Sequence, residues 1–215
     1  MILKKFYEPS TLILAIQVFL LGSLSQVYFG LLSIGGYSKF NTSLSIIAII
    51  ISMINIRLLL LFLNRKIEDL FDFSELKVWR NWSTMLFINI FFYIITALGT
   101  LLIEKLGLLK SDGYNSLIDN LPNYILIFQV YMLAPIAEEF SFRYILVGKY
   151  KKSTKMALII SSTAFSLGHS PTNLVAFAVY FIMGLTLGKL YLCKKSFTLN
   201  ICTHAIWNFL AVFVL

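Results

Sequence analysis

Six polar residues stand out against an apolar background: Glu138, Glu139 and Arg143 in PIAEEFSFRYILVGKY, His169 in STAFSLGHSPTN, and His204 and Asn208 in NICTHAIWNFL. A carboxylate, two imidazoles and a carboxamide can together hold one water molecule and drive it onto a carbonyl carbon. Glu138 suits the general base and His169 can orient the water. Asn208 carries an amide donor for a developing oxyanion, a task that His204 can share. One glutamate and two histidines are also zinc-type ligands. Glu138, His169 and His204 could therefore hold zinc or another divalent metal whose bound water is the nucleophile. Spacing leaves direct and metal activation both open. No HExxH helix and no GxSxG elbow is present, so the common zinc and serine signatures are missing.

Local pairing explains some of these charges and not others. Glu139 and Arg143 are four residues apart, on one helical face with the acid N-terminal to the base, and neutralise each other. Glu138 is turned ~100° away and has no local partner. His204 and Asn208, and likewise Phe165 and His169, share the same four-residue spacing. Lys149 marks the cytoplasmic end of its segment, which places Glu138 ~16 Å into a membrane at ~1.5 Å per residue, with His204 at a comparable ~12 Å. A charge at such depth costs at least ~2.5–3.5 kcal/mol. A single histidine can simply bond a neighbouring helix, and a Glu–Arg pair can be a staple. Four groups without local partners on three segments instead predict one shared wet cavity. Glu138 and His169 are then expected ~5–6 Å apart across one water, with Asn208 facing it from the opposite helix.

The elements that must position these groups follow from composition. The 215 residues are 59% hydrophobic and 13% charged, with mean hydropathy +0.83, too apolar for a soluble domain of this length. Apolar runs fall at about 11–32, 42–63, 82–103, 121–148, 155–169, 172–192 and 196–215. The first is too long for a signal-peptide core and is kept as a span. The sequence thus predicts an all-α, polytopic membrane bundle of about seven transmembrane helices (six to eight), as a single domain over 1–215 with its chemistry in 121–215. The mixed segment Arg65 to Trp82 reads as an amphipathic helix at the interface. Arg57, near the end of the second run, can snorkel to the headgroups.

Counting Lys and Arg orients the bundle. With the N-terminus in the cytoplasm, Lys4, Lys5, Arg65, Lys66, Lys77, Arg80, Lys149, Lys151, Lys152, Lys155, Lys189, Lys194 and Lys195 lie inside, against Lys39, Lys105 and Lys110 outside. Such an excess marks the cytoplasmic side. The net charge of +8 therefore faces the cytosol and anionic membrane lipid, and no nucleic-acid partner is needed. Cys193 and Cys202 suggest neither a disulfide framework nor a metal cluster.

The ordered trio EExxxR (Glu138, Glu139, Arg143), FxxxH (Phe165, His169) and HxxxN (His204, Asn208) resembles the type II CAAX prenyl protease and bacteriocin-processing (CPBP, Abi) family of intramembrane proteases. Gly184 and Gly188, ahead of the last motif, are also similar to the family's usual run. The resemblance covers about residues 121–215; the first 120 match only as membrane helices. It implies a membrane endopeptidase open to the cytosolic side, with Glu138 activating water, His169 assisting, and His204 and Asn208 at the oxyanion. Glu139 and Arg143 would hold the helix. It also implies a membrane-associated or lipidated peptide or protein as substrate. Members are often described with eight helices, one more than the seven runs. Eukaryotic members trim prenylated proteins, whereas many bacterial ones serve peptide maturation or bacteriocin self-immunity. The short chain favours the second group and the bacterial cell membrane. The competing classes are a non-enzymatic immunity or scaffold protein and an ion-coupled transporter, which usually shows repeated halves that are not visible here.

Overall fold

A computed structural model describes residues 72–108, 128–148 and 153–214, with isolated helical positions at 50, 53, 54, 57 and 61. Among the described residues the chain is all-helical, with no strand. Five helices pack together: α1 (Trp79–Lys105), α2 (129–147), α3 (Thr154–Gly168), α4 (Leu174–Lys194) and α5 (Phe197–Val214). The last five apolar runs each coincide with one of them. The first run, and all but those isolated positions of the second, lie outside the described residues, so the seven-helix count is met here by five.

Two helices, α1 with 27 residues and α4 with 21, are long and apolar enough to cross a membrane. Helix α3, at 15 residues, spans only ~22 Å and is short of a ~30 Å hydrocarbon core. Helix α1 turns most of its apolar surface outward: Leu86, Phe87, Leu98 and Leu101 are all exposed. In water that surface would be a large unsatisfied patch; in lipid it is solvated. Its inner face carries Asn81, Met85, Asn89, Phe92 and Gly99.

The segment before α1 corrects the sequence reading of one amphipathic helix from Arg65 to Trp82. Residues 65–71 lie outside the described residues, but Phe73–Lys77 is a short 3-10 turn and Val78 is extended. Side chains explain the break. Asp72 accepts from the Ser74 amide at 2.9 Å, and hydrogen bonding from the Ser74 side chain, then from its amide, holds the Asp72 carboxyl below the usual range. Asn81 and Trp82 reach back to the Glu75 and Leu76 carbonyls at 2.8 and 2.6 Å. Backbone groups that a continuous helix would pair internally are thus taken by side chains.

Helix α2 is irregular, and its irregularity has an identifiable origin. Wide π-type turns at Gln129–Leu133 and Glu139–Val147 flank one ordinary turn, Ala134–Glu138. Pro135 supplies no N–H and its ring crowds the carbonyl four residues back, so the regular ladder cannot run through it. Such wide turns often accompany functional sites.

Helices α3 and α4 approach closely because their facing residues are small. A Cβ on Gly184 would stand 2.9 Å from the Ser162 Cα, and one on Gly188 would stand 2.7 Å from a Leu158 methyl. Hydroxyls fix the register: Ser161 donates to the Phe142 carbonyl at 2.7 Å and Ser166 to the Phe177 carbonyl at 2.8 Å. As Pro171 predicts, α3 stops beforehand. His169 closes it, Ser170 takes a left-handed φ of 48°, and the Asn173 side chain caps α4 through the Ala176 amide. Phe92, Phe140, Ile145, Phe165 and Leu187 fill the core among these helices.

Candidate active site

Helices α2, α3 and α5 bring Glu138, His169 and His204 together. Glu138 Oε2 lies 3.7 Å from His169 Nε2 and 3.8 Å from His204 Nε2. The three side chains converge as expected, at a shorter distance than the ~5–6 Å of a water lying on the line between the groups. A water here would sit to one side of the triangle. Opening is graded: the His204 side chain is 3% exposed, Glu138 15% and His169 26%.

Each imidazole is fixed at its far nitrogen. His169 Nδ1 lies 2.8 Å from the Phe165 carbonyl, which can only accept, so Nδ1 carries the proton. Its ring packs between Phe165 and Tyr180, with both centroids at 4.4 Å, the tyrosine stacked at 25°. His204 Nδ1 lies 2.9 Å from Glu139 Oε1, and the carboxylate accepts from it. In the neutral rings both Nε2 atoms are then acceptors, and both point at a carboxylate. Glu138 Oε2 is buried without a hydrogen-bond partner. Three acceptors face one another, an arrangement that requires a donor between them. One water can donate to two of them, and a proton on the third completes the set.

Glu139 is the hub behind this triangle. Fully buried, it accepts from His204 Nδ1 and from Asn200 Nδ2 at 2.7 Å, and lies 3.3 Å from Arg143 Nε. The Glu139–Arg143 pair expected from spacing is present, and it also orients a histidine. The guanidinium of Arg143 is fully buried, sits 4.4 Å over the Phe165 ring, and reaches the Gly184 carbonyl at 3.5 Å. Phe165 therefore touches both histidines and Arg143. Its place in FxxxH is structural: it supplies a carbonyl for one ring and a face for three neighbours.

Asn208 makes a bond that the sequence did not predict: Nδ2 donates to the Val130 carbonyl on α2 at 2.9 Å. Two residues were missed in the sequence. Asn200 could have been found, because Asn200, His204 and Asn208 repeat at every fourth position of α5. Tyr180 carries no such signal, since an aromatic residue in an apolar helix is indistinguishable from core.

The metal reading has no support in this arrangement. Among the described residues no group of three or more His, Cys, Asp or Glu side chains is placed to hold a metal ion. Ligands ~2.0–2.1 Å from a tetrahedral zinc stand about 3.3–3.4 Å apart, and two acceptors sharing one water at ~2.8 Å stand about 4.5 Å apart; the 3.7 and 3.8 Å from Glu138 Oε2 to the two nitrogens fall between these spacings.

Residues 120–210 match the family model of Rce1-like type II CAAX prenyl endopeptidases. Over that stretch the chain is similar to that family. The matched stretch contains α2 to α5 almost entirely and every residue of the triangle and its hub, while α1 precedes it. At family level the CAAX endopeptidase domain is a membrane-embedded protease. No curated protein matches the chain, and no solved structure does.

Proposed function

We propose that this CAAX endopeptidase domain hydrolyses a peptide bond of a membrane-associated or lipidated peptide, using a water activated by Glu138. The observation that carries the reading is the triangle of Glu138 Oε2 with two imidazole Nε2 atoms at 3.7 and 3.8 Å, three acceptors that call for a water and a proton. Glu138 removes a proton from the water as its oxygen bonds to the scissile carbonyl carbon. His169 holds the other water proton through Nε2. The carbonyl π pair moves onto oxygen, and an N–H at His204 Nε2 receives the oxyanion, steadied by the Glu139 carboxylate behind Nδ1. Glu138 then returns its proton to the leaving amine as the C–N bond breaks.

The test is cleavage of membrane-associated and prenylated peptides by the purified protein, read by mass spectrometry of the products. The wild type is expected to release two fragments and Glu138→Ala none. Cleavage by both proteins at equal rates would end the reading. Peptide maturation or bacteriocin self-immunity in a bacterial membrane is the cellular role we propose for this activity.

We also infer that the N-terminus faces the cytosol, from the thirteen-to-three division of basic residues. The positions that report it best, Asp112, Lys151 and Lys152, lie outside the described residues. Single cysteines there, with Cys193 and Cys202 replaced, should label from outside intact cells only at position 112. Labelling at 151 would reverse the orientation.

A further inference from the structure

The hydrogen bond of Asn208 meets an acceptor that the backbone of α2 leaves open. In a wide π-type turn each carbonyl accepts from the N–H five residues on. For Val130, within the wide turn Gln129–Leu133, that residue is Pro135, which has no N–H. A carbonyl left without a partner on a half-buried residue of a membrane bundle is a costly group. Asn208 Nδ2 lies 2.9 Å from it. Two turns further along α2 stands Glu138, whose Oε2 must meet nitrogens on α3 and α5 at 3.7 and 3.8 Å. One turn before Asn208 on α5 is His204, one of those two nitrogens' owners. The amide therefore ties α2 to α5 on the same two helices that carry the base and its histidine.

We propose that Asn208 is a positioning residue: its side-chain amide supplies the donor that Pro135 withholds from the Val130 carbonyl, and so holds α2 in the register that delivers Glu138 to His169 and His204. The role rests on the Glu138 chemistry given above, yet the bond itself is separable from it. The bond uses one of the two N–H groups of the amide; a direct oxyanion role would use the other and is indifferent to what occupies position 135.

A double-mutant cycle distinguishes the two. In the wild-type background Asn208→Ala should lower kcat by about 10–100-fold, the effect of shifting a reacting group by ~1 Å, with a much smaller change in KM. In a Pro135→Ala background position 135 regains its N–H, the Val130 carbonyl regains a backbone donor, and Asn208→Ala should cost less than about threefold. Assays run well below the unfolding transition keep every variant folded, so that loss of stability alone leaves kcat unmoved. Thermal unfolding of the same four proteins in detergent provides the arm that needs no catalysis: Asn208→Ala should lower Tm in the first background and hardly at all in the second. Equal kcat losses in both backgrounds would overturn the positioning role and favour the oxyanion. Equal Tm losses in both would overturn the Pro135–Val130–Asn208 link itself. A protein that cleaves nothing, yet shows the Tm coupling, would refute the endopeptidase chemistry while leaving the link standing.

Discussion

Glu138→Gln is expected to abolish peptide cleavage while leaving the protein at least as stable as the wild type. The substitution keeps the shape of the side chain and removes the base; loss of general-base catalysis amounts to about 10²–10⁴-fold in rate. The stability half of the prediction comes from hydrogen-bond accounting. Glu138 Oε2 is buried without a partner, 3.7 Å from His169 Nε2, an acceptor because the proton of that ring is on Nδ1. A glutamine amide would place an N–H donor against that lone pair and relieve the mismatch. Sites that retain such a mismatch commonly exchange stability for activity. Rate measurements on the purified variant, paired with thermal unfolding in detergent, check both halves. A variant that still cleaves at a substantial rate would remove Glu138 from the chemistry. A marked fall in unfolding temperature would show that the triangle is satisfied in some other way.

The second large effect is expected at Arg143. Both Arg143 and Glu139 are fully buried, with Nε 3.3 Å from Oε2. Arg143→Ala leaves the Glu139 charge with only Asn200 and His204 as partners, and breaking a buried pair in this way costs about 3–5 kcal/mol. The truncation also empties the space over the Phe165 ring, where the guanidinium sits at 4.4 Å. Replacing both partners with neutral residues, Glu139→Gln with Arg143→Met, should recover most of the stability. It should not recover cleavage, because Glu139 also orients His204 through a 2.9 Å bond. Thermal unfolding and peptide cleavage of the single and double variants separate these contributions. A stable, inactive Arg143→Ala would contradict a chiefly structural role for the arginine.

What the sequence determined was the inventory and most of its placement along the chain. The apolar runs from 82 onward mark the helices α1 to α5 because burying or lipid-solvating a helix requires a long apolar stretch, and that requirement is local. Pro171 ends α3 for an equally local reason: proline crowds the residue before it out of helix. Glu138, His169 and His204 were legible because an ionisable or imidazole group in such a run has to be explained by a partner elsewhere. The Glu139–Arg143 pair was legible from a four-residue spacing.

Only the tertiary structure decided how those groups divide the work. Which nitrogen of each histidine faces Glu138 depends on the Phe165 carbonyl and on Glu139, contacts between atoms that no spacing specifies. Asn200 and Tyr180 joined the site through neighbours on α2 and α3, which a single helix's pattern does not reveal. The interfacial helix expected before α1 gave way to a turn because the Asn81 and Trp82 side chains took its backbone acceptors. Asn208, read in the sequence as an oxyanion donor, bonds a carbonyl 78 residues away. Pro135 was visible throughout, but the carbonyl it leaves open belongs to Val130 only once α2 adopts the wide turn Gln129–Leu133, which no spacing specifies.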